Sequence, residues 1–490
     1  MQDLHDLSLM LERNIPLILI ESYEEVRVLE LLTRVGIKRG IAVQQWTISD
    51  GLRRLSFGED VNGESTSQPV DALKNIKSRK HGGMFLFCDL HPFLDETLVI
   101  RLLKDIAIQH EKYPKTLILL SHKIEVPAEL QRYSVHFKFQ LPDEAELLSL
   151  VKEEARRYTK KSGTRVKTDS ETLQKVVANL RGLTISDARR LVQGLIVDDG
   201  AISLDEVPEV SKAKMELLDM DGVMSFESDT ARFNDVAGLS NMKVWLEQRR
   251  EAFLTANDDM RPKGMMLFGV QGGGKSLAAK AVAGSWGLPL LRLDFGALYN
   301  KFFGETERNL REALKLAETM SPCVVWIDEI EKGVSQESND AGVSQRLLGT
   351  LLTWMAEHGE KVFVVATANN IHVLPPELMR KGRLDEIFFV DLPSKEARAA
   401  ILDIHLRKRD LNSEGVDLLL LADISDGFSG AELEQAVVSA WHSVRGNGAK
   451  GLGTEVLMRE IQRTQPLSVT MSERMESLRT WADGRSVNAD

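Results

Sequence analysis

The chain has only two cysteines in 490 residues, Cys88 and Cys323. That is too few for a disulfide framework, and both sit in apolar runs that read as buried strands, so small core roles in a reducing compartment are expected. Long hydrophobic runs are missing too. The longest aliphatic run near the start, Ile15 to Ile20, falls far short of the roughly 20 residues a membrane helix needs. The first residues carry neither a basic leader nor a long apolar stretch, so no secretory signal is expected. Leu4, Leu7, Leu9 and Leu11 among acids read instead as a surface helix. No His-Glu-x-x-His string and no Cys/His cluster of zinc spacing occurs, which removes a fused zinc protease. Positive charge is in deficit, with 62 Lys and Arg against 73 Asp and Glu and a net charge of −11. A whole-molecule field of that sign disfavours nucleic acid and anionic lipid.

What remains is ordinary globular material, 43% apolar and 28% charged, long enough for about two to four domains. A cytoplasmic protein is the expectation. Short aliphatic runs alternate with longer helical patterns, the signature of parallel α/β units. Strands are expected at 16–21, 41–47, 83–89, 116–121 and 136–140, and again at 264–269, 290–294, 323–328, 362–367 and 387–390. The halves match at an offset of roughly 240–250 residues. Met84 to Asp89 matches Cys323 to Asp328, Lys115 onward matches Lys361 onward, Phe137 to Pro142 matches Phe388 to Pro393, and Gly182 to Ala188 resembles Gly427 to Leu433. Four matches in one order argue for a tandem duplication. The expected domains are 1–200, an acidic linker at 201–229 with one helix at 210–219, an α/β core at 230–393, and a helical region at 394–490.

Gly269-Val270-Gln271-Gly272-Gly273-Gly274-Lys275-Ser276 fits G-x-x-x-x-G-K-[ST], between an expected strand and an expected helix. Glycines let backbone N–H groups curl around a phosphate, and the helix N-terminus adds favourable partial charge. Lys275 would reach the β- and γ-phosphates of ATP, and Ser276 would place its hydroxyl on Mg²⁺. Apolar residues 324–327 deliver Asp328 and Glu329 to a strand end, where ligands bind in open α/β sheets. Asp328 would hold Mg²⁺, and Glu329 would orient the attacking water and take its proton. Asn369 ends the next strand. It either donates to phosphate while accepting from water, or is a routine turn residue.

These residues resemble an AAA-type ATPase of the AAA+ superfamily. Asp235 to Leu239 resembles the segment that packs its backbone, here Ala237 and Gly238, on adenine. Lys301 to Arg311 resembles the pore-loop motif, which implies that Phe302 or Phe303 grips polypeptide in a central channel; a plain core contact is the alternative. Leu378 to Asp385 resembles the arginine-finger motif, which implies that Arg380 and Arg383 act on the adjoining subunit's ATP, unless they form a solvated basic turn. Gly427 to Leu433 resembles the lid motif, with Ala431 supplying no cation, and Pro466 to Met471 resembles the C-terminal helix seen in several members. The string from Ala366 to Pro393 is similar to an uncharacterised AAA family encoded by a hypothetical open reading frame of algal chloroplast genomes and cyanobacteria, which extends the setting to the chloroplast stroma in plastid relatives.

The resemblance implies a P-loop NTPase (AAA+) parallel-sheet core with a C-terminal helical lid, preceded by a degenerate AAA-like α/β domain. Where that first domain should carry a phosphate loop it reads Ser22-Tyr-Glu-Glu-Val-Arg27, without glycine or a Lys-Ser pair, and Leu90 follows Asp89 where a base would stand. The implied activity is ATP hydrolysis by a homo-oligomer, a hexameric ring acting on protein partners. A nucleotide-dependent switch or scaffold, and less favoured a nucleic-acid motor, are the alternatives.

Overall fold

A computed structural model of the chain describes residues 2–55, 66–199, 201–202, 207–218, 223–299, 306–334, 341–380, 382–409, 411, 415–446 and 453–490. Phe302 and Phe303, and most of the polar loop expected at 58–68, lie outside the described residues. The chain divides into two compact units: Met1–Pro142 with Thr184–Ser186, and Asp143–Leu183 with Asp187–Asp490.

In the first unit β1 (Leu17–Glu21), β2 (Val43–Thr47), β3 (Gly51–Arg54), β4 (Gly83–Cys88), β5 (Lys115–Ser121) and β6 (Ser134–Phe137) form one sheet in the order β3-β2-β4-β5-β1-β6. Every pairing is parallel except the β2–β3 hairpin. Strand residues alternate between faces. Leu17 and Leu19 join Trp46, Phe85 and Phe87 on one side, and Ile18 and Ile20 join Val28, Leu32 and Val35 of the helix Glu25–Arg39 on the other. Leu7 of the first helix is fully buried in that second cluster. The helix expected on the surface is therefore part of the core. The fifth expected strand is shifted, pairing with β1 from Ser134 to Phe137. Phe139 follows the alternation, but its ring packs edge-on to Phe137 at 5.3 Å and under the Arg27 guanidinium at 4.8 Å.

In the second unit β7 (Met224–Phe226), β8 (Gly264–Gly269), β9 (Leu290–Leu293), β10 (Cys323–Ile327), β11 (Val362–Ala368), β12 (Glu386–Val390) and β13 (Val487–Asn488) run in the order β13-β12-β8-β11-β10-β9-β7. Only β7 is antiparallel to its neighbour. Without the short edge strands both sheets have the same order, with first strand between fourth and fifth: β6-β1-β5-β4-β2 and β12-β8-β11-β10-β9. That shared order is the architecture the repeated motifs imply. Met265 and Leu267 face the helices Ser240–Thr255 and Lys275–Trp286; Met266 and Phe268 face the opposite cluster, which includes Leu310 and Leu314 of Thr306–Thr319.

The segment read as a linker contributes the helix Val207–Leu218 and strand β7. After β12, the helices Lys395–Arg407, Leu418–Ile424, Gly430–Gly446 and Thr454–Arg463 close around a core of their own that includes Leu402, Phe428, Leu433 and Leu457, and so form a lid. The last helix, Ser472–Ala482, returns to the sheet, with Trp481 edge-on to Phe268 at 4.9 Å. The fold is an α/β phosphate-loop core with a helical lid, preceded by a second α/β unit of the same strand order. Both cysteines are buried and free, as expected.

Candidate functional site

The turn after β8 is built by glycine. Gly269 (φ 142) lies so close to β12 that a Cβ would stand 2.1 Å from the Val390 carbonyl oxygen, and Gly274 (φ 92) occupies the left-handed cap of the helix Lys275–Trp286. Lys275 opens that helix and folds back into the loop, with Nζ donating to the carbonyls of Gly269 (3.0 Å) and Val270 (2.8 Å). Burial lowers its pKa to about 8, against the opposing pull of Glu331, Asp328 and Glu329.

Three strand ends converge beside it. Asp328, following β10, accepts from the Thr367 hydroxyl (2.8 Å) and from Arg292 Nη2 (3.2 Å) of β9. Glu329 takes a left-handed conformation (φ 50), and its N–H donates to Thr367 Oγ1 (3.1 Å). Asn369 Nδ2 donates to Glu329 Oε1 (2.8 Å), while the other carboxylate oxygen pairs with Lys332. The Asn369 backbone N–H donates to Glu331 Oε1 (2.9 Å). Glu331 Oε2 is buried without a hydrogen-bond partner among the described residues, and burial raises the pKa of that carboxyl.

Lys275, Asp328, Glu329, Thr367 and Asn369 open into a cavity of about 780 Å³, within the size range of cofactor sites. Its lining includes Gln271 to Ser276, Asp328, Glu329, Thr367 and Asn369. Ala237, Gly238, the lid residues Ile401, His405, Ala431 and Glu434, and Asn488 to Asp490 close the far end. The lid is fastened directly to the loop, since the Ala431 N–H donates to the Gly272 carbonyl (3.2 Å). Gly269 and Val270 lie under the loop, at the edge of a small adjoining pocket. Arg380 and Arg383 do not line the main cavity. Arg380 is exposed after the turn Pro376–Met379, and Arg383 donates to the Glu377 carbonyl.

Sequence reasoning missed several neighbours. Arg292 pairs with Asp328 from an adjacent strand, and Arg474, on the last helix, donates to the Asn369 carbonyl (3.2 Å). Arg479 clamps Asp391 with two bonds (2.8 and 3.0 Å). These contacts span 36, 105 and 88 residues of chain, so no local signal carries them. Glu331 was legible, standing two residues beyond Glu329 in an acidic string.

The corresponding turn of the first unit differs. After β1 the helix Glu25–Arg39 is preceded by Glu24, whose buried carboxylate accepts from the Ser186 N–H (3.2 Å), the Ser186 hydroxyl (3.0 Å) and Arg27 (3.0 Å). That carboxylate makes no bond to the N–H groups of its own helix start; its partners are Ser186 and the Arg27 side chain.

A glycine loop at a helix start, a buried lysine and strand-end carboxylates under a helical lid define a P-loop nucleotide-binding protein. Residues 265–392 match the ATPase family associated with various cellular activities, and residues 3–139 and 145–221 match the N-terminal and second domains of SpoVK-like AAA ATPases. The uncharacterised AAA domain-containing protein ycf46 of Pyropia yezoensis is 35% identical over 99% of this chain and 98% of its own length. That of Guillardia theta is 34% identical over 98% and 95%. The proteasome-activating nucleotidase of Aeropyrum pernix is 30% identical over 75% of this chain and 87% of its own length. The chain belongs to the AAA ATPase family, in the group of the plastid-encoded ycf46 proteins.

Proposed function

We propose that the chain hydrolyses ATP with Mg²⁺ at the cavity beside Lys275, and that a hexameric ring of such chains remodels protein partners. The observation that carries the reading is the Asn369–Glu329 bond beside the Lys275 loop, which holds a base and a cation on one cavity. The residues fit a magnesium nucleotide. Ser276 and Asp328 offer the hard oxygen donors that Mg²⁺ prefers, and among the described residues the hydrogen-bond acceptors of Lys275 are neutral carbonyls, which a phosphate can displace. When bound, Mg²⁺ neutralises charge developing on the phosphates.

Gln271 to Gly274 would cradle the phosphates with their N–H groups, and Lys275 would swing from its carbonyls to the β- and γ-oxygens. Glu329, oriented by Asn369, takes the proton of the attacking water. Ala237 and Gly238 would border the base. Arg380 and Arg383 would serve the neighbour's site; a head-to-tail contact of that kind closes into a ring. Phe302 and Phe303 would line its pore.

Residues 1–200 are proposed as an AAA-like domain without turnover, joined by 201–229 to the core at 230–393 and the lid with C-terminal helix at 394–490. No helix among the described residues is long and apolar enough to cross a membrane; a cytoplasmic setting, or the stroma in plastid relatives, goes with this reading. Steady-state hydrolysis by Glu329→Gln is the test. Loss of general-base catalysis costs about 10²–10⁴-fold, so kcat falls by at least about 100-fold while ATP binding persists; hydrolysis at the parent rate removes the assignment.

A further inference from the structure

At the carboxyl edge of the first unit's sheet, Asp89 and His91 follow β4 and His122 follows β5, and their donor atoms all lie within 4.8 Å of one another. The Ser121 hydroxyl sits among them, 2.7 Å from His91 Nδ1, 3.3 Å from Asp89 Oδ1 and 3.4 Å from His122 Nδ1. By strand register, Met84 opposite Thr116 corresponds to Cys323 opposite Val362, so Asp89 and Ser121 stand where Asp328 and Thr367 stand in the second unit. The carboxylate–hydroxyl bond is kept in both places. What has changed is its company: two imidazoles in place of a phosphate loop.

We infer that Asp89, His91 and His122 bind a borderline divalent transition cation of the zinc or cobalt class. Two imidazole nitrogens and one carboxylate are the ligand set such ions favour, whereas Mg²⁺ favours oxygen alone. A tetrahedral ion with bonds of about 2.0–2.1 Å needs donors about 3.4 Å apart. Side-chain rotation supplies the closure, because Asp89 is 71% exposed and His91 30%. The left-handed turn at Asp89 (φ 55) sets its carboxylate beside His91, 4.0 Å from Nδ1. The remaining coordination position is left to water or a small ligand. A serine-nucleophile relay does not fit the same residues. Ser121 is only 3% exposed, and Asp89 approaches the imidazole nitrogen that Ser121 already occupies, not the opposite one.

Cobalt(II) titration of the full-length, nucleotide-free protein tests the site. One equivalent per chain is expected, with visible d–d absorption of nitrogen-ligated cobalt that zinc(II) displaces. The double variant His91→Ala/His122→Ala loses it, weakening binding by more than the roughly 10–100-fold that an outer-shell partner costs, with ATPase activity unchanged. A wild type that binds cobalt(II) no better than the double variant overturns the site. A readout that needs no variant is diethylpyrocarbonate footprinting by mass spectrometry. Zinc(II) should shield His91 and His122, and equal modification with and without zinc(II) also overturns it.

Discussion

Lys275, in the cavity wall, and Glu331, behind Asn369, are held at a cost to the nucleotide-free fold. The lysine's folded pKa, about 8, lies below its unfolded value near 10.5. The stability it contributes is therefore present above the unfolded value and lost as pH falls through about 8. Lys275→Met should raise the melting temperature of the nucleotide-free protein at pH 7, by at most about 3 kcal/mol in stability, and the gain should fade toward pH 10.5. A variant less stable than wild type at pH 7 would contradict this. Glu331 has the opposite sense. Its folded pKa is raised by burial, so stability is full below the unfolded value of about 4.5 and lost as pH rises. Glu331→Gln keeps an oxygen for the Asn369 N–H and should stabilise the nucleotide-free protein at pH 7 but not at pH 4, as thermal melts at both values would show. Such strain fits a site whose charges await a ligand.

The elements differed in how legible they were. The glycine loop, the strand leading to Asp328 and the repeat of five strands in each half were visible because each rests on local residue chemistry repeated at fixed spacing. Edge strands β3, β7 and β13 were not, since two to four residues cannot display a period. The strand β6 was misplaced because Phe137 and Phe139 alternate like a strand while only Phe137 pairs with β1. Arg474 shows the same limit within the site. Ala431 reads as a lid without a cation, yet the last helix brings a guanidinium to Asn369 from the other side. Arg474→Ala should lower kcat by about 10–100-fold, the 1.5–3 kcal/mol of a charged hydrogen bond, in a steady-state assay. The fold should be little affected, because the helix is also held by Trp481 on Phe268 and by the Arg479–Asp391 clamp.

For the whole molecule, the duplicated sheet carries two divergent corners: one with a phosphate loop, the other with Glu24 bonded to Ser186 and Arg27 at its helix start. If Arg380 and Arg383 act across subunits, Arg380→Ala/Arg383→Ala and Lys275→Ala proteins should each be inactive alone and partly active when mixed, because a Lys275→Ala chain supplies arginines to an intact pocket. A finger of this kind is worth about 10³–10⁵ in rate, so even partial rescue is measurable; a mixture as inactive as its components would place the arginines elsewhere. The central claim, one working nucleotide pocket per chain, is tested most directly by calorimetric titration of the Glu329→Gln protein with Mg·ATP. The account predicts one nucleotide per chain and none after Lys275→Ala is added; two per chain, or binding unchanged by the loss of Lys275, would contradict it.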